Sequence, residues 1–390
     1  MQKSYENGIL TLRPAGHVDA VNAPAFQAEI LELLAEDPPE AVVIDCDQVE
    51  YMSSAGLRVV LRVKQKLERT SLINVHPGFY EILDTTGFTE LMEIRKAYRI
   101  VSLEGCEMIG QGANGKVYRL DRENIVKVYQ RDALPTIQRE RELARAAFVL
   151  GVPSAIPYDV VQIAEGGYGS VYELLNAKTF VQVLKDGEKT MDELVEMSTA
   201  LLKLIHSRIV KQSYVPPIKD MALRWAGTAK DCLTAEVYEK VYALIDAVPD
   251  DRRMIHGDYH FRNIMYQDGE TLLIDMDKLS HGHPVFELAS IYNAYCGFNS
   301  GDPSAVERFL GISNETAATL WRKQLERYLD TKDEDALREV EDKAKVIGHV
   351  RLMQHHIRRN GLDTDEGRRK IAASRTILEE TLPRVDTLLF

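Results

Sequence analysis

The segment His256-Gly257-Asp258-Tyr259-His260-Phe261-Arg262-Asn263 and, shortly after it, Leu272-Leu273-Ile274-Asp275 hold two carboxylates and an amide at the spacing that phosphoryl transfer from ATP uses. In such chemistry a loop aspartate accepts the proton of an attacking hydroxyl. A following asparagine and the aspartate that ends the next strand ligate Mg²⁺ beside the β- and γ-phosphates. Asp258, Asn263 and Asp275 fit those three places. A His-Gly-Asp tripeptide alone is an ordinary turn, so the weight falls on what lies upstream.

Upstream, Ile109-Gly110-Gln111-Gly112-Ala113-Asn114-Gly115-Lys116-Val117-Tyr118 spaces three glycines as G-x-G-x-x-G between β-formers. Gly110, Gly112 and Gly115 would let a hairpin close over phosphates where a Cβ would obstruct it. A dinucleotide-binding turn would open a helix after the last glycine, whereas Lys116-Val117-Tyr118 reads as a strand. A second strand, Ile125-Val126-Lys127-Val128-Tyr129, places Lys127 on the face opposite its two valines. A helix glutamate would hold such a lysine, and the helical pattern over residues 136–150 offers Glu140 and Glu142. With Leu143, Ala146, Ala147 and Leu150 marking the apolar face, Glu140 lies slightly nearer to it at roughly 100° per residue.

With these residues in this order, the chain from about residue 103 to 390 resembles the aminoglycoside phosphotransferase and choline-kinase-like branch of the protein-kinase superfold. Val171-Tyr172-Glu173-Leu174-Leu175, where that family links its two lobes, and Leu204-Ile205-His206-Ser207 on a central helix extend the resemblance. The resemblance implies ATP and Mg²⁺ as cofactors, with backbone groups from Glu173 to Leu175 hydrogen-bonding adenine. One position departs: the family's Asp-Leu-Ala is here Glu287-Leu288-Ala289, a longer carboxylate expected still to brace the catalytic loop.

Spacing also bears on the acceptor. Protein kinases of the Ser/Thr type carry a long activation segment after the metal aspartate and an arginine before the catalytic aspartate. Here Gly257 precedes Asp258, and only residues 276–286 separate Asp275 from Glu287. A small hydroxylated molecule is therefore the expected acceptor.

The first hundred residues read differently. Residues 8–13 alternate like a strand, 22–35 have helical periodicity, 41–45 form a short apolar run of the buried-strand type, and a helix is expected from Ser53-Ser54 to about Arg69. Such a mixture makes a small α/β domain. Asp45-Cys46-Asp47-Gln48-Val49-Glu50-Tyr51-Met52-Ser53-Ser54-Ala55-Gly56-Leu57-Arg58 and Ile82-Leu83-Asp84-Thr85-Thr86-Gly87-Phe88 resemble signatures of the STAS domain of bacterial anti-sigma-factor antagonists. In that family a serine at the helix start is phosphorylated to break partner binding, since phosphate adds charge and bulk to a contact surface. The usual Asp-Ser-Ser-Gly is here Ser53-Ser54-Ala55-Gly56, so Ser54 is the nearest regulatory candidate, although Ser53 and Ser54 also serve simply as helix caps.

Sixty acidic against 48 basic residues, a formal net charge of −12, argue against nucleic acid or an anionic membrane as partner. Cys46, Cys106, Cys232 and Cys296 lie far apart, without disulfide or zinc spacing. A polar start and the lack of a long apolar run suggest a cytoplasmic protein. The connection over residues 96–103 has no Gly/Ser or Pro tract, so the domains are expected to pack. The acidic run over residues 330–342 reads as a solvated helix face, although antibiotic-modifying relatives use such segments to bind cationic sugars. His355-His356 with Arg358-Arg359 reads as surface charge, because adjacent histidines point to different helix faces.

The expected architecture is an α/β STAS domain over residues 1–98 followed by a bilobal α+β kinase-like fold, with its N-lobe over 103–178 and a helical C-lobe over 179–390. The expected activity is ATP- and Mg²⁺-dependent phosphoryl transfer to a small-molecule hydroxyl, with the STAS domain regulating it or binding an anti-sigma-type protein. A protein kinase acting on a STAS-type serine is one alternative. A non-enzymatic nucleotide-sensing module is the other, disfavoured because Lys127, Asp258, Asn263 and Asp275 are all present.

Overall fold

A computed structural model describes residues 1–390 other than 37, 112–114, 130–133 and 212. Its backbone contacts divide the chain into two units, Met1–Ser102 with Val161–Gly166, and Leu103–Val160 with Gly167–Phe390.

In the first unit, strands β1 (Gln2–Glu6), β2 (Ile9–Arg13) and β3 (Gly16–Val18) precede helix α1 (Ala23–Glu36). Then come β4 (Ala41–Asp45), β5 (Val49–Met52), α2 (Ser54–Lys66), β6 (Thr70–Val75), α3 (Pro77–Thr85), α4 (Phe88–Leu91) and β7 (Glu93–Lys96). Asn7 and Gly8, at φ 50° and 78°, make the two-residue turn that pairs β1 with β2. The main sheet runs β1-β2-β4-β6-β7, parallel from β2 onward, while β3 pairs with β5.

Residues 41–45 do not have both faces covered as the apolar run suggests: Val42 and Ile44 are fully buried, and Ala41, Val43 and Asp45 are partly exposed. Only one face of β4 packs on the core with Leu10, Leu12, Val60 and Leu72. Helix α2 ends at Lys66, three residues before Arg69, because Leu67 turns to an extended backbone.

The first unit ends with β8 (Ile100–Val101). The second begins with β9 (Met108–Gln111), β10 (Gly115–Arg119), β11 (Asn124–Tyr129) and α5 (Leu134–Val149), and after β12 (Pro157–Ile163), which runs from the second unit into the first, continues with β13 (Tyr168–Glu173). Antiparallel pairing places Lys127 on β11 opposite Val117 of β10 and Ser170 of β13. The larger part is helical, with β14 (Lys178–Thr179), α6 (Phe180–Lys185), α7 (Met191–His206), α8 (Ile218–Ala229), α9 (Ala235–Asp246) and β15 (Met254–Ile255). Next are β16 (Ile264–Gln267), β17 (Glu270–Leu273), β18 (Ser280–His281) and α10 (Val285–Tyr295). Helices α11 (Ala305–Leu310), α12 (Asn314–Leu329), α13 (Glu334–Asn360) and α14 (Asp365–Thr381) complete the chain.

Every residue of α10 is buried, the pattern of a helix covered on all sides, and α13 packs along it. The β16–β17 hairpin turns at Asp268 and Gly269, φ 50° and 92°. Its register sets Ile264 against Leu273 and lets the Ile274 N–H donate to the Asn263 carbonyl at 3.0 Å. Two stretches of the motif thereby become neighbours.

In the first unit, an alanine Cβ at Gly56 would lie 2.6 Å from Met52 Cγ and 2.9 Å from the Val18 carbonyl oxygen, a backbone atom with little room to yield. Gly56→Ala is expected to destabilise this unit by about 1–3 kcal/mol. Chemical denaturation of the full chain reads this as an earlier first transition, and an unchanged transition would show that α2 can slide.

Candidate active site

Lys127 Nζ donates to Glu140 Oε1 at 2.7 Å and to Asp275 Oδ1 at 3.0 Å. Helix α5 begins at Leu134, so Glu140 lies in its second turn on the face buried with Ile137, Leu143 and Ala144. Glu142 is exposed. Burial alone would lower the lysine's pKa, but the Asp275 and Glu140 carboxylates outweigh it and hold the ammonium above its ordinary value. Burial raises the Glu140 pKa against the opposing pull of Lys127. Asp277 is likewise pushed up, first by burial and then by the charge of Asp275.

Asp275 lies two residues beyond β17 and does not end the strand. Its φ of 64° and ψ of 66° put it in the left-handed region, where the chain turns into the short helical turn Met276–Lys278. Asn263 is buried, and its Nδ2 donates to the Asp258 carbonyl at 2.9 Å. That bond fixes which end of the amide is which and leaves Oδ1 as an acceptor.

The Asp258 carboxylate, about one-third exposed, meets His260 Nε2 at 3.5 Å. Burial would raise its pKa, but His260, Arg351 and His256 together hold it well below the usual carboxylate range. It is thus a carboxylate across the neutral range, as a proton acceptor must be.

The loop bearing Asp258 is held by Glu287, which is fully buried at the start of α10. It accepts from the His256 N–H at 2.5 Å and the Gly257 N–H at 2.9 Å. The departure from the shorter aspartate therefore leaves the brace intact. His206 sits behind it, with Nε2 3.9 Å from Glu287 Oε2 and Nδ1 2.7 Å from the Tyr328 hydroxyl. The Gly257 carbonyl accepts from Ser290 Oγ and from Arg351 Nη1, each at 2.9 Å. Gly257 has φ 81°, and a Cβ there would lie 2.7 Å from the Lys278 carbonyl oxygen.

The glycine loop is described in part. Gly112 lies outside the described residues. A Cβ at Gly115 would come within 2.2 Å of the Val128 carbonyl oxygen, so the pairing of β10 with β11 itself requires glycine there. At Gly110 the nearest atom would be Val117 Cβ at 3.7 Å, an ordinary contact. On the connection between lobes, the Glu173 N–H donates to the Ile156 carbonyl and the Leu174 N–H to that of Glu123. Among the described residues the Leu175 N–H donates no hydrogen bond. In the first unit Ser53 is the N-cap of α2, accepting from the Gly56 N–H at 3.4 Å, and Ser54 follows as an exposed first-turn residue.

Residues 105–339 match the model described as "Phosphotransferase enzyme family", and residues 1–99 match that of the STAS domain. The chain belongs to the phosphotransferase enzyme family. Its fold is similar to that of aminoglycoside phosphotransferase APH(4)-Ia, with TM-score 0.51 and 12% identity over 72% of this chain and 93% of that one. A thermostable mutant of that enzyme, in a ternary complex with AMP-PNP and hygromycin B, gives TM-score 0.51 at 11% identity over 72% and 93% of the two chains. At such identity the likeness is one of fold.

The N-terminal part is 32% identical over 92 residues to BtrV of Bordetella bronchiseptica, whose name places it among anti-sigma factor antagonists; the match covers 23% of this chain and 78% of BtrV. It is 36% identical over 61 residues to the anti-sigma-F factor antagonist RsfB of Mycobacterium tuberculosis. That match covers 16% of this chain and 49% of RsfB, so the chain spans about half the length of that relative. No helix among the described residues is long and apolar enough to cross a membrane.

Removing the Glu287 side chain would strand two buried N–H donors, at roughly 1–3 kcal/mol each. Glu287→Ala is expected to lower the denaturation midpoint of the phosphotransferase unit, measured in urea. An unshifted midpoint would mean that the loop finds other acceptors.

Proposed function

We propose that this phosphotransferase moves the γ-phosphoryl group of ATP to the hydroxyl of a small molecule, and that its STAS domain regulates it. The observation that carries the reading is the convergence of Lys127, Glu140 and Asp275 beside the loop that bears Asp258 and Asn263. Lys127, held by Glu140, faces the phosphates, and Leu175 offers its N–H to adenine with the Glu173 carbonyl beside it. Strands β9 and β10, which carry Gly110 and Gly115, would border the phosphates. The solved neighbour complexed with AMP-PNP supports an adenine nucleotide as donor.

The donors available to a metal fit Mg²⁺. They are the Asp275 carboxylate and Asn263 Oδ1, two hard oxygen ligands, and Mg²⁺ takes few protein ligands and completes its shell with phosphate and water. Among the described residues no group of three or more His, Cys, Asp or Glu side chains is arranged to hold a metal by itself. When bound, the ion supplies positive charge to the phosphate oxygens. The acceptor oxygen bonds to the γ-phosphorus, the bond from that phosphorus to the bridging oxygen breaks, ADP leaves, and the hydroxyl proton passes to Asp258. His260 and Arg351 keep Asp258 ionised for that task, and Glu287 keeps its loop in place. The short segment over residues 276–286 supports a small acceptor over a protein.

The STAS relatives support an anti-sigma-type protein as the partner of the first unit. Ser54, exposed at the start of α2, is the position where added phosphate would alter that contact.

Asp258→Asn keeps the shape but cannot take the proton, so ADP formation is expected to fall by roughly 10²-fold or more while MgATP still binds. A variant as active as the parent refutes the assignment. Lys127→Ala and Asp275→Ala should each weaken MgATP binding by about 1.5–3 kcal/mol in calorimetry, the loss of a charged contact. Equal affinity in both variants and parent would place the nucleotide elsewhere. Intact-mass measurement after MgATP treatment, with the Ser54→Ala variant in parallel, separates transfer to a small molecule from transfer to the chain itself.

A further inference from the structure

Helix α13 brings a cation to the catalytic loop from far along the chain. Arg351 Nη1 donates to the carbonyl of Gly257, the residue before Asp258, and its guanidinium carbon lies 5.3 Å from the centre of the Trp225 ring on α8. Arg351 is one of the charges that hold Asp258 below the carboxylate range. A guanidinium has five N–H donors and stays charged at any working pH. Among the described residues Arg351 makes no ion pair and no second hydrogen bond, so its remaining donors are available to a ligand. A cation held over an aromatic face is attracted by the ring's quadrupole, which favours this placement of the guanidinium.

Its surroundings are cationic as well. Arg358 lies two turns further along α13, on the same side as Arg351, with Arg359 next to it. Both are exposed, and among the described residues neither has an acidic partner. The acids of the 330–342 run are mostly exposed, as Asp330, Asp333, Glu334, Asp335 and Glu339 are, and several of them bond to neighbouring groups. Asp333 caps α13 by accepting from the Ala336 N–H, and Glu334 pairs with Arg322 at 2.5 Å. Glu341 accepts from Trp321 Nε1 at 2.8 Å, and Asp342 is buried against Arg384 at 2.8 Å. Asp342 is buried beneath a half-exposed Arg384 and so departs from the solvated face that the run suggests, while most of the run keeps to it. A polycationic acceptor would meet the Arg351 guanidinium beside Asp258, a like-charge approach that is disfavoured.

We propose that Arg351 is the specificity residue of the acceptor site and that the acceptor is a small hydroxylated anion. Its carboxylate or phosphate pairs with the guanidinium while a nearby hydroxyl faces Asp258. This rests on the phosphotransferase reading, and the displacement is the one described above, with the proton going to Asp258 and ADP leaving.

The test uses the full chain with MgATP and a matched set of polyols that differ at one end: gluconate, glucitol phosphate, glucitol and glucamine. ADP formation is measured for each, as is binding by calorimetry in the presence of a non-hydrolysable ATP analogue. At least one of the two anions is expected to bind or turn over in preference to glucitol and glucamine, and the pair distinguishes carboxylate from phosphate as the recognised group. Arg351→Gln should reduce the anion-to-neutral ratio roughly 10- to 100-fold through KM or Kd, the loss of a charged hydrogen bond. Arg351→Lys should restore part of it. MgATP affinity measured alongside shows that each variant is folded. A preference for glucitol or glucamine, no binding of either anion, or a preference that survives in Arg351→Gln overturns the proposal. If the parent chain does not bind MgATP, the phosphotransferase reading fails first. Normal MgATP affinity without an anion preference removes only this inference.

Discussion

The Lys127 ammonium lies between two carboxylates that come from opposite sides of the site. Glu140 reaches it from a helix and Asp275 from the turn beyond a distant hairpin. A buried charge left without its partner costs several kcal/mol, so the strand, the helix and the hairpin are held to one mutual placement. The local charges do not cancel. Among the described residues Lys127 is the one cation paired with Glu140 and Asp275, and Asp277, paired with Lys278, adds a further carboxyl whose pKa is raised by burial and then by the charge of Asp275. Such an excess of carboxylate is the electrostatic condition under which a divalent cation is welcome.

The catalytic loop depends on a second buried carboxylate. Glu287 holds two consecutive backbone N–H groups at the base of the loop, and its own helix is covered on every side, so the brace cannot swing. Ser290, Arg351 and the Tyr295 hydroxyl, which accepts from the Phe261 N–H at 3.1 Å, complete a frame built almost entirely on backbone groups. Asn263 joins that frame through its own side chain, Nδ2 donating to the Asp258 carbonyl, which leaves Asn263 Oδ1 and the Asp258 carboxylate as acceptors.

Much of this was legible in the sequence because it is local. The spacing of Asp258, Asn263 and Asp275 reflects one loop and one hairpin, and the helical period placed Glu140 on the inner face of α5. The role of Glu287 followed from its place in a motif. What escaped is long-range or steric. Arg351 meets Gly257 across 94 residues, and no local pattern announces it. Gly115 reads as room for phosphate, yet its clash is with the neighbouring strand's carbonyl. Asp342 lies in an acidic run but is buried by Arg384 from the chain's end. The first strand was missed although Asn7-Gly8 is a strong hairpin signal, because its polar residues show no alternation.

The central claim is that these groups converge on one nucleotide. A crystal structure of the chain with Mg²⁺ and a non-hydrolysable ATP analogue tests it most directly. The account requires the phosphates at Lys127, the metal ligated by Asp275 and Asn263, and adenine at the Leu175 N–H. A nucleotide bound anywhere else, or one whose phosphates avoid Lys127, would contradict it.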